Sequence, residues 1–147
     1  MAKIIDGKQI AKEVRAEIAA ECAELKKKGI IPGLAVVIVG TDPASQVYVR
    51  NKKKACEEVG IRSEVFELPE ETTEEELLAL VKKLNEDVNI HGILVQLPLP
   101  EHLDDEVIIA NIDPKKDVDA FHPSNVGKIM IGNYDFLPCT PAGVMVL

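Results

Sequence analysis

Tryptophan is missing from this chain of 147 residues, and aromatic side chains make up only 3% of it. Few flat platforms are therefore on offer for stacking nucleic-acid bases. Positive charge is in deficit as well. Seventeen lysines and arginines face 25 aspartates and glutamates, and the resulting net charge of −8 creates no global attraction for a polyphosphate. A small anionic ligand is still allowed, because screening over about 8 Å lets a local basic cluster outweigh a distant acidic surface. No apolar run approaches the roughly 20 residues that span a bilayer. The longest is "GLAVVIVG", and the opening "MAKIIDGKQIAKEV" carries charges every few residues, unlike a secretion signal. Cysteine is scarce too: Cys22, Cys56 and Cys139 are odd in number and widely spaced, which suits neither a disulfide framework nor a C-x-x-C metal site. The expectation is a soluble, cytoplasmic protein with buried, reduced thiols and with neither nucleic acid nor membrane as a partner.

What is present is enough apolar material, 46% of the residues, for one domain with a core of its own. Asp6 followed three residues later by Gln9 predicts a capping box, and Ile10, Val14, Ile18, Cys22 and Leu25 recur at helical spacing up to Gly29. "GLAVVIVG" is continuous and β-branched, the pattern of a strand covered on both faces. A helix begins near Asp42 and Pro43, and "IRSEVFEL" after Gly60 is a weaker strand at an edge or half-exposed place. Thr73 with Glu76 predicts a second capping box ahead of Leu77, Leu80, Val81 and Leu84. "IHGILVQLPLP" is a third strand closed by prolines, and "LDDEVIIANI" a short helix. Strands alternating with helices predict right-handed βαβ units in a three-layer α/β/α fold with a mainly parallel sheet. In such sheets ligands gather outside the carboxyl ends of the strands, here "GTDPAS" and "QLPLP". In "LPCTPAGVMVL", Thr140 is a good N-cap and Pro141 a good first helical residue, yet only a couple of turns remain before Leu147. We read this as the start of a helix that leads into further protein.

Within "QVYVRNKKKACEEVG", Ser45, Tyr48, Lys52, Cys56 and Val59 follow steps of three or four and share one face. A lysine partly packed on such a face loses hydration, which favours a neutral amine able to act as a general base. The ordinary alternative is a snorkelling lysine beside a packed tyrosine. Gln96 in "VQLPLP" is an amide in an otherwise apolar strand that needs a partner, an amine, a ligand or simply the proline loop. "DPKKDVDAFHPSNVG" sets Asp117, Asp119 and His122 among turn formers. Their spacing fits no standard metal loop, which leaves a solvated Asx-capped loop or a carboxylate that receives two donors from a heterocycle. The "RNKKK" run is either a solvated face or local charge for a carboxylate-bearing ligand. Tyr-x-x-x-Lys also occurs in short-chain dehydrogenases, but no G-x-G-x-x-G follows any predicted strand, since Gly29, Gly33 and Gly40 are spaced wrongly.

Taken in order, "YVRNKKKACEEVGI", "GILVQLPLP", "PKKDVDAFHPSNVG" and "LPCTPAGV" resemble the methylenetetrahydrofolate dehydrogenase/cyclohydrolases, over essentially all 147 residues. The resemblance implies one-carbon folate metabolism of the kind that feeds purine biosynthesis: oxidation of 5,10-methylenetetrahydrofolate with NADP, then hydrolysis of 5,10-methenyltetrahydrofolate to 10-formyltetrahydrofolate. It implies Lys52, Tyr48 and Gln96 as catalytic residues, with Asp119 against the pterin and Leu97, Pro141 and Gly143 also at the substrate. It implies a folate-binding catalytic domain over residues 1–138 and, over 139–147, the start of a connecting helix toward a Rossmann domain outside this chain. The NADP site is expected on that domain, no metal is implied, and the expected partners are tetrahydrofolate derivatives, with a homodimer for the full-length enzyme and a monomer for this length. Hydrolysis by this chain, or folate binding without turnover, are the two activities left open.

Overall fold

The computed structural model describes residues 4–147. Helix α1 (Gly7–Lys27) leads to strand β1 (Gly33–Val39), helix α2 (Pro43–Val59) and strand β2 (Arg62–Leu68). Helix α3 (Glu74–Glu86), strand β3 (Gly92–Val95) and helices α4 (Asp105–Ala110), α5 (Pro123–Met130) and α6 (Cys139–Val146) follow. The sheet is parallel in the order β2-β1-β3, so the β-branched strand is central, as its unbroken apolar run requires. The edge strand β2 is half-buried along its length except at Arg62 and Glu67, which are exposed.

Because successive strand residues point to opposite faces, β1 feeds two cores. Ala35, Val37 and Val39 meet Leu77, Val81 and Leu84 of α3 and Ile108 of α4 on one side. Val36 and Ile38 meet Val49 of α2 on the other. With α1 laid on α2, the result is three layers, α/β/α, as expected. Leu77, Ile93 and Ile108 are at most 1% exposed, so truncating any of them to alanine costs about 2–5 kcal/mol in transfer and cavity terms.

Local chemistry explains the boundaries. Both halves of the Thr73/Glu76 capping box are made: the Glu76 amide donates to Oγ1 at 3.3 Å and Oε2 accepts from the Thr73 amide at 2.9 Å. At α1 only half forms. Asp6 Oδ1 accepts from the amides of Lys8 and Gln9, both at 3.1 Å, but the Gln9 side chain turns forward to Glu13 at 2.7 Å. Gly60 ends α2 at φ 87, a left-handed cap that a β-carbon disfavours. Two expectations are corrected. The segment read as a loop after His122 contains α5, whose first position is Pro123 and whose N-terminal amide of Ser124 donates to His122 Nδ1 at 3.0 Å. Helix α6 starts at Cys139 behind Pro138 with no side-chain cap, so Thr140 and Pro141 lie inside it.

Candidate active site

The α2 face of the sheet does not run smoothly into solvent beside β3. A cavity of about 740 Å³ opens there, walled by α2 on one side and by residues 118–119 and the start of α6 on the other. Gly92 makes room for the second wall: a β-carbon there would lie 2.6 Å from Val118 Cγ1. With only hydrogen at that position the chain after α4 lies along β3, bridging Ile93 to Asp117 in parallel. The Ile93 amide donates to the Lys116 carbonyl at 2.7 Å. Val118 and Asp119 thereby reach the cavity.

Tyr48 and Lys52, one turn apart on α2, line it from the other side, with Ala55 and Cys56 one turn further on. Lys52 is half-buried, whereas Tyr48 is 62% exposed at the mouth. Lys52 Nζ donates to Gln96 Oε1 at 3.0 Å. The glutamine is itself held: its backbone amide donates to the Val37 carbonyl at 2.8 Å, and its Nε2 donates to the Leu97 carbonyl at 2.7 Å. With the amide nitrogen committed to a carbonyl, the opposite flip would set two donors against each other, so the oxygen faces the amine. Burial pushes the Asp119 carboxyl above its ordinary value, Lys52 opposes the rise, and the neighbouring charge of Asp117 adds to it. The Cys139 thiol, also on the cavity, is pushed up by burial and by Asp119, with Lys52 again opposing.

Four residues singled out from the sequence, Tyr48, Lys52, Gln96 and Asp119, therefore share one cavity. Three do not line it. Leu97 packs toward the α3 core, Pro141 is exposed, and Gly143 borders a groove between α1 and α6. Cys139 and Thr140 line it instead; Cys139 is exposed, which corrects its expected burial, whereas Cys22 and Cys56 are buried as expected. Of the two strand ends expected to carry the site, that of β3 supplies Gln96, whereas the end of β1 does not line the cavity, most of which lies over the face of β3. Asp117 is turned away from it and buried, accepting from the His122 amide at 2.8 Å and from Asn125 Nδ2 at 2.9 Å. Asn125 is the residue here that sequence reasoning passed over. Arg50, Lys53 and Lys54 are exposed. Among the described residues no group of three or more His, Cys, Asp or Glu is placed to hold a metal, and no helix is long and apolar enough to cross a membrane.

A nicotinamide dinucleotide finds no cradle among the described residues. The β1–α2 turn, where a phosphate loop would sit, has a single glycine at positive φ, Gly40, and the helix N-terminus behind it is already occupied by the Asp42 carboxylate, which accepts from the Ser45 amide at 2.7 Å. A pyrophosphate there would meet like charge.

An amine held by an amide, a carboxylate across from it and an apolar floor of Leu94 and Val118 make a cavity whose shape and polar groups suit a flat, hydrogen-bonding ligand. The chain belongs to the tetrahydrofolate dehydrogenase/cyclohydrolase family: the pattern of that family's catalytic domain matches residues 5–119. It is 62% identical over 146 residues to the bifunctional protein FolD of Acetivibrio thermocellus, covering 99% of this chain and 51% of that protein. The FolD of Moorella thermoacetica is likewise 62% identical over 146 residues, with 99% and 52% covered. The solved bifunctional FolD of Campylobacter jejuni matches with a TM-score of 0.93 at 52% identity, over 95% of this chain and 50% of that one. The Trypanosoma brucei methylenetetrahydrofolate dehydrogenase-cyclohydrolase, solved with NADP and an inhibitor, matches with a TM-score of 0.93 at 42% identity, over 98% and 50%. The chain thus spans about half the length of the relatives it matches.

Proposed function

We propose that this chain binds tetrahydrofolate derivatives in the cavity over β3 and hydrolyses 5,10-methenyltetrahydrofolate to 10-formyltetrahydrofolate, with Lys52 as general base and then general acid. The observation that carries the reading is the 3.0 Å hydrogen bond from Lys52 Nζ to Gln96 Oε1 inside the cavity that Asp119 also lines. The substrate is an amidinium-like cation whose bridging carbon is electrophilic. Water adds its oxygen to that carbon while Lys52 takes one of its protons; the carbon–nitrogen bond to one ring nitrogen then breaks, Lys52 returns that proton to the nitrogen, and the second water proton is released to solvent as the formyl carbon–oxygen double bond forms. Gln96 holds the amine at the reacting carbon. Asp119 accepts hydrogen bonds from the pterin N–H groups and so sets which face of the carbon is presented. Tyr48 lies against the flat part of the ligand at the mouth.

Membership of the family supports the folate as ligand, and the half-length coverage supports a division of labour. In this reading residues 1–138 form the folate-binding unit and 139–147 begin a connecting helix, while the NADP that accepts hydride in the full-length enzyme is held by residues outside this chain. The turn after β1, with one glycine and the Asp42 carboxylate at the helix start, offers no cradle for its pyrophosphate. NADPH formation by the purified chain at the rate of an intact relative contradicts that division.

A second reading is folate binding without turnover. It is favoured by the exposure of Tyr48, 62%, and by the absence of Pro141 and Gly143 from the cavity lining, which leave the site open to water on one side. The two are separated by following the absorbance of methenyltetrahydrofolate with the wild-type chain and with Lys52→Ala. A wild-type rate above background that Lys52→Ala removes supports hydrolysis. Background rates for both, with a folate still bound, support the binding module.

A further inference from the structure

Two aspartates stand two residues apart beside the cavity, and the structure gives them opposite environments. Asp119 lines the site. Asp117 is 2% exposed, and so is Asn125 of α5. Burying a carboxylate is costly unless it is well supplied with donors. Among the described residues Asp117 takes part in no ion pair. Its Oδ2 has two neutral donors, the His122 amide at 2.8 Å and Asn125 Nδ2 at 2.9 Å. The same Asn125 nitrogen donates to the Pro114 carbonyl at 2.9 Å, so both of its hydrogens are used. One amide on α5 thus ties down residue 114 and residue 117, the chain leading up to Asp119. On the far side of Asp119 is Ala120, 1% exposed and at φ 56, a left-handed conformation unusual for a residue with a β-carbon. That turn is closed by the Ala120 amide on the Asp117 carbonyl at 3.3 Å. Asp119 is therefore suspended between a turn and a buried carboxylate, and both run back to Asn125.

We propose that Asn125 is a positioning residue for Asp119, acting through the buried Asp117 carboxylate to hold the Asp119 side chain in the cavity. Its consequence for folate affinity rests on the folate reading above. Without the Asn125 amide, Asp117 keeps one donor and must seek water, and the turn that carries Asp119 loosens with it.

The test is a double-mutant cycle in the 147-residue chain, with folic acid as the titrated ligand. Asn125→Ala weakens folic acid by about tenfold in the wild-type background, the loss expected of one charge-assisted hydrogen bond, and has no further effect in Asp119→Asn. A ligand-free readout accompanies it: the NMR titration midpoint of the Asp119 carboxyl carbon, which faces Lys52, Asp117 and Cys139, moves in Asn125→Ala. A residue needed only for folding lowers the melting temperature and leaves that midpoint in place. Should Asn125→Ala fail to fold, Asn125→Ser, which shortens the donor and leaves both aspartates charged, serves as the second variant with the same two readouts. An unmoved midpoint, or equal losses in both backgrounds, overturns the proposal. Undiminished folic acid affinity in Asp119→Asn overturns the folate reading instead, and the midpoint then decides the coupling alone.

Discussion

At the carboxyl end of β1 the chain turns through Gly40, Thr41 and Asp42, and with Glu70, Pro98 and Pro100 this forms a crevice of about 370 Å³. Over the face of β3 lies the larger cavity that holds Lys52, Gln96 and Asp119. Open α/β sheets ordinarily use the first kind of place. Here its charged groups are two carboxylates, and Asp42 is spent on capping α2: the Ser45 amide and hydroxyl hold its carboxyl below the usual range. The second place opposes an amine to a carboxylate across apolar walls, so it can bind an electrophilic heterocycle and move a proton. The lesson is that the strand ends locate the frame while the chemistry follows the one stripe of α2 that faces a gap.

Substitutions can break or sharpen this contrast. The largest expected effect is that of Lys52→Ala, which lowers the hydrolysis rate by about 10²–10⁴-fold, the usual worth of a positioned general base, while folic acid affinity changes little. Next is Asp119→Ala, which weakens folic acid by about 100-fold, two charge-assisted hydrogen bonds at about 1.4 kcal/mol each, read by titration calorimetry. The same carboxylate gives a pH dependence. Its proton is held more tightly than an ordinary carboxyl's, and the ligand's N–H donors want it ionised. Affinity therefore declines as pH falls, starting above the usual carboxylate range, and Asp119→Asn flattens the profile. For stability the sign is opposite: a raised folded-state value means the native state binds the extra proton, so this group's contribution is largest at low pH and is lost as pH rises through the raised value. Gln96→Ala follows, with hydrolysis slowed by about tenfold through a misplaced amine and binding nearly unchanged. Smallest at the active cavity is Asp42→Ala: it lowers the melting temperature by a few degrees through the lost cap and leaves hydrolysis and folic acid binding as they were. Loss of binding on that substitution would move the site to the strand ends.

Much of the frame was legible because its signals are local. "GLAVVIVG" can be covered on both faces only at the centre of a parallel sheet, and Thr73 with Glu76 makes a box whose two halves need only each other. The Asp6 and Gln9 pair looks the same in sequence, but Glu13 offers Gln9 a competing acceptor one turn on, and the box half-forms. Helix α5 was hidden because a histidine ring serves as its cap, a role usually given to Ser, Thr, Asn or Asp. In the site, the stripe of Tyr48 and Lys52 follows from helical spacing alone. The opposite fates of Asp117 and Asp119 do not, since they are set by the positive φ of Ala120 and by an amide eight residues further along. Resemblance placed Pro141 and Gly143 at the substrate, yet the start of α6 brings Cys139 and Thr140 to the cavity instead.

The central claim is that the ligand lies over the face of β3, against Lys52 and Gln96, and not in the crevice beyond the end of β1. An amide NMR titration of this chain with folic acid tests it most directly. The account predicts the largest shifts at Lys52, Gln96, Val118 and Asp119, with Gly40, Thr41 and Glu70 unmoved; shifts clustered at those last three residues contradict it.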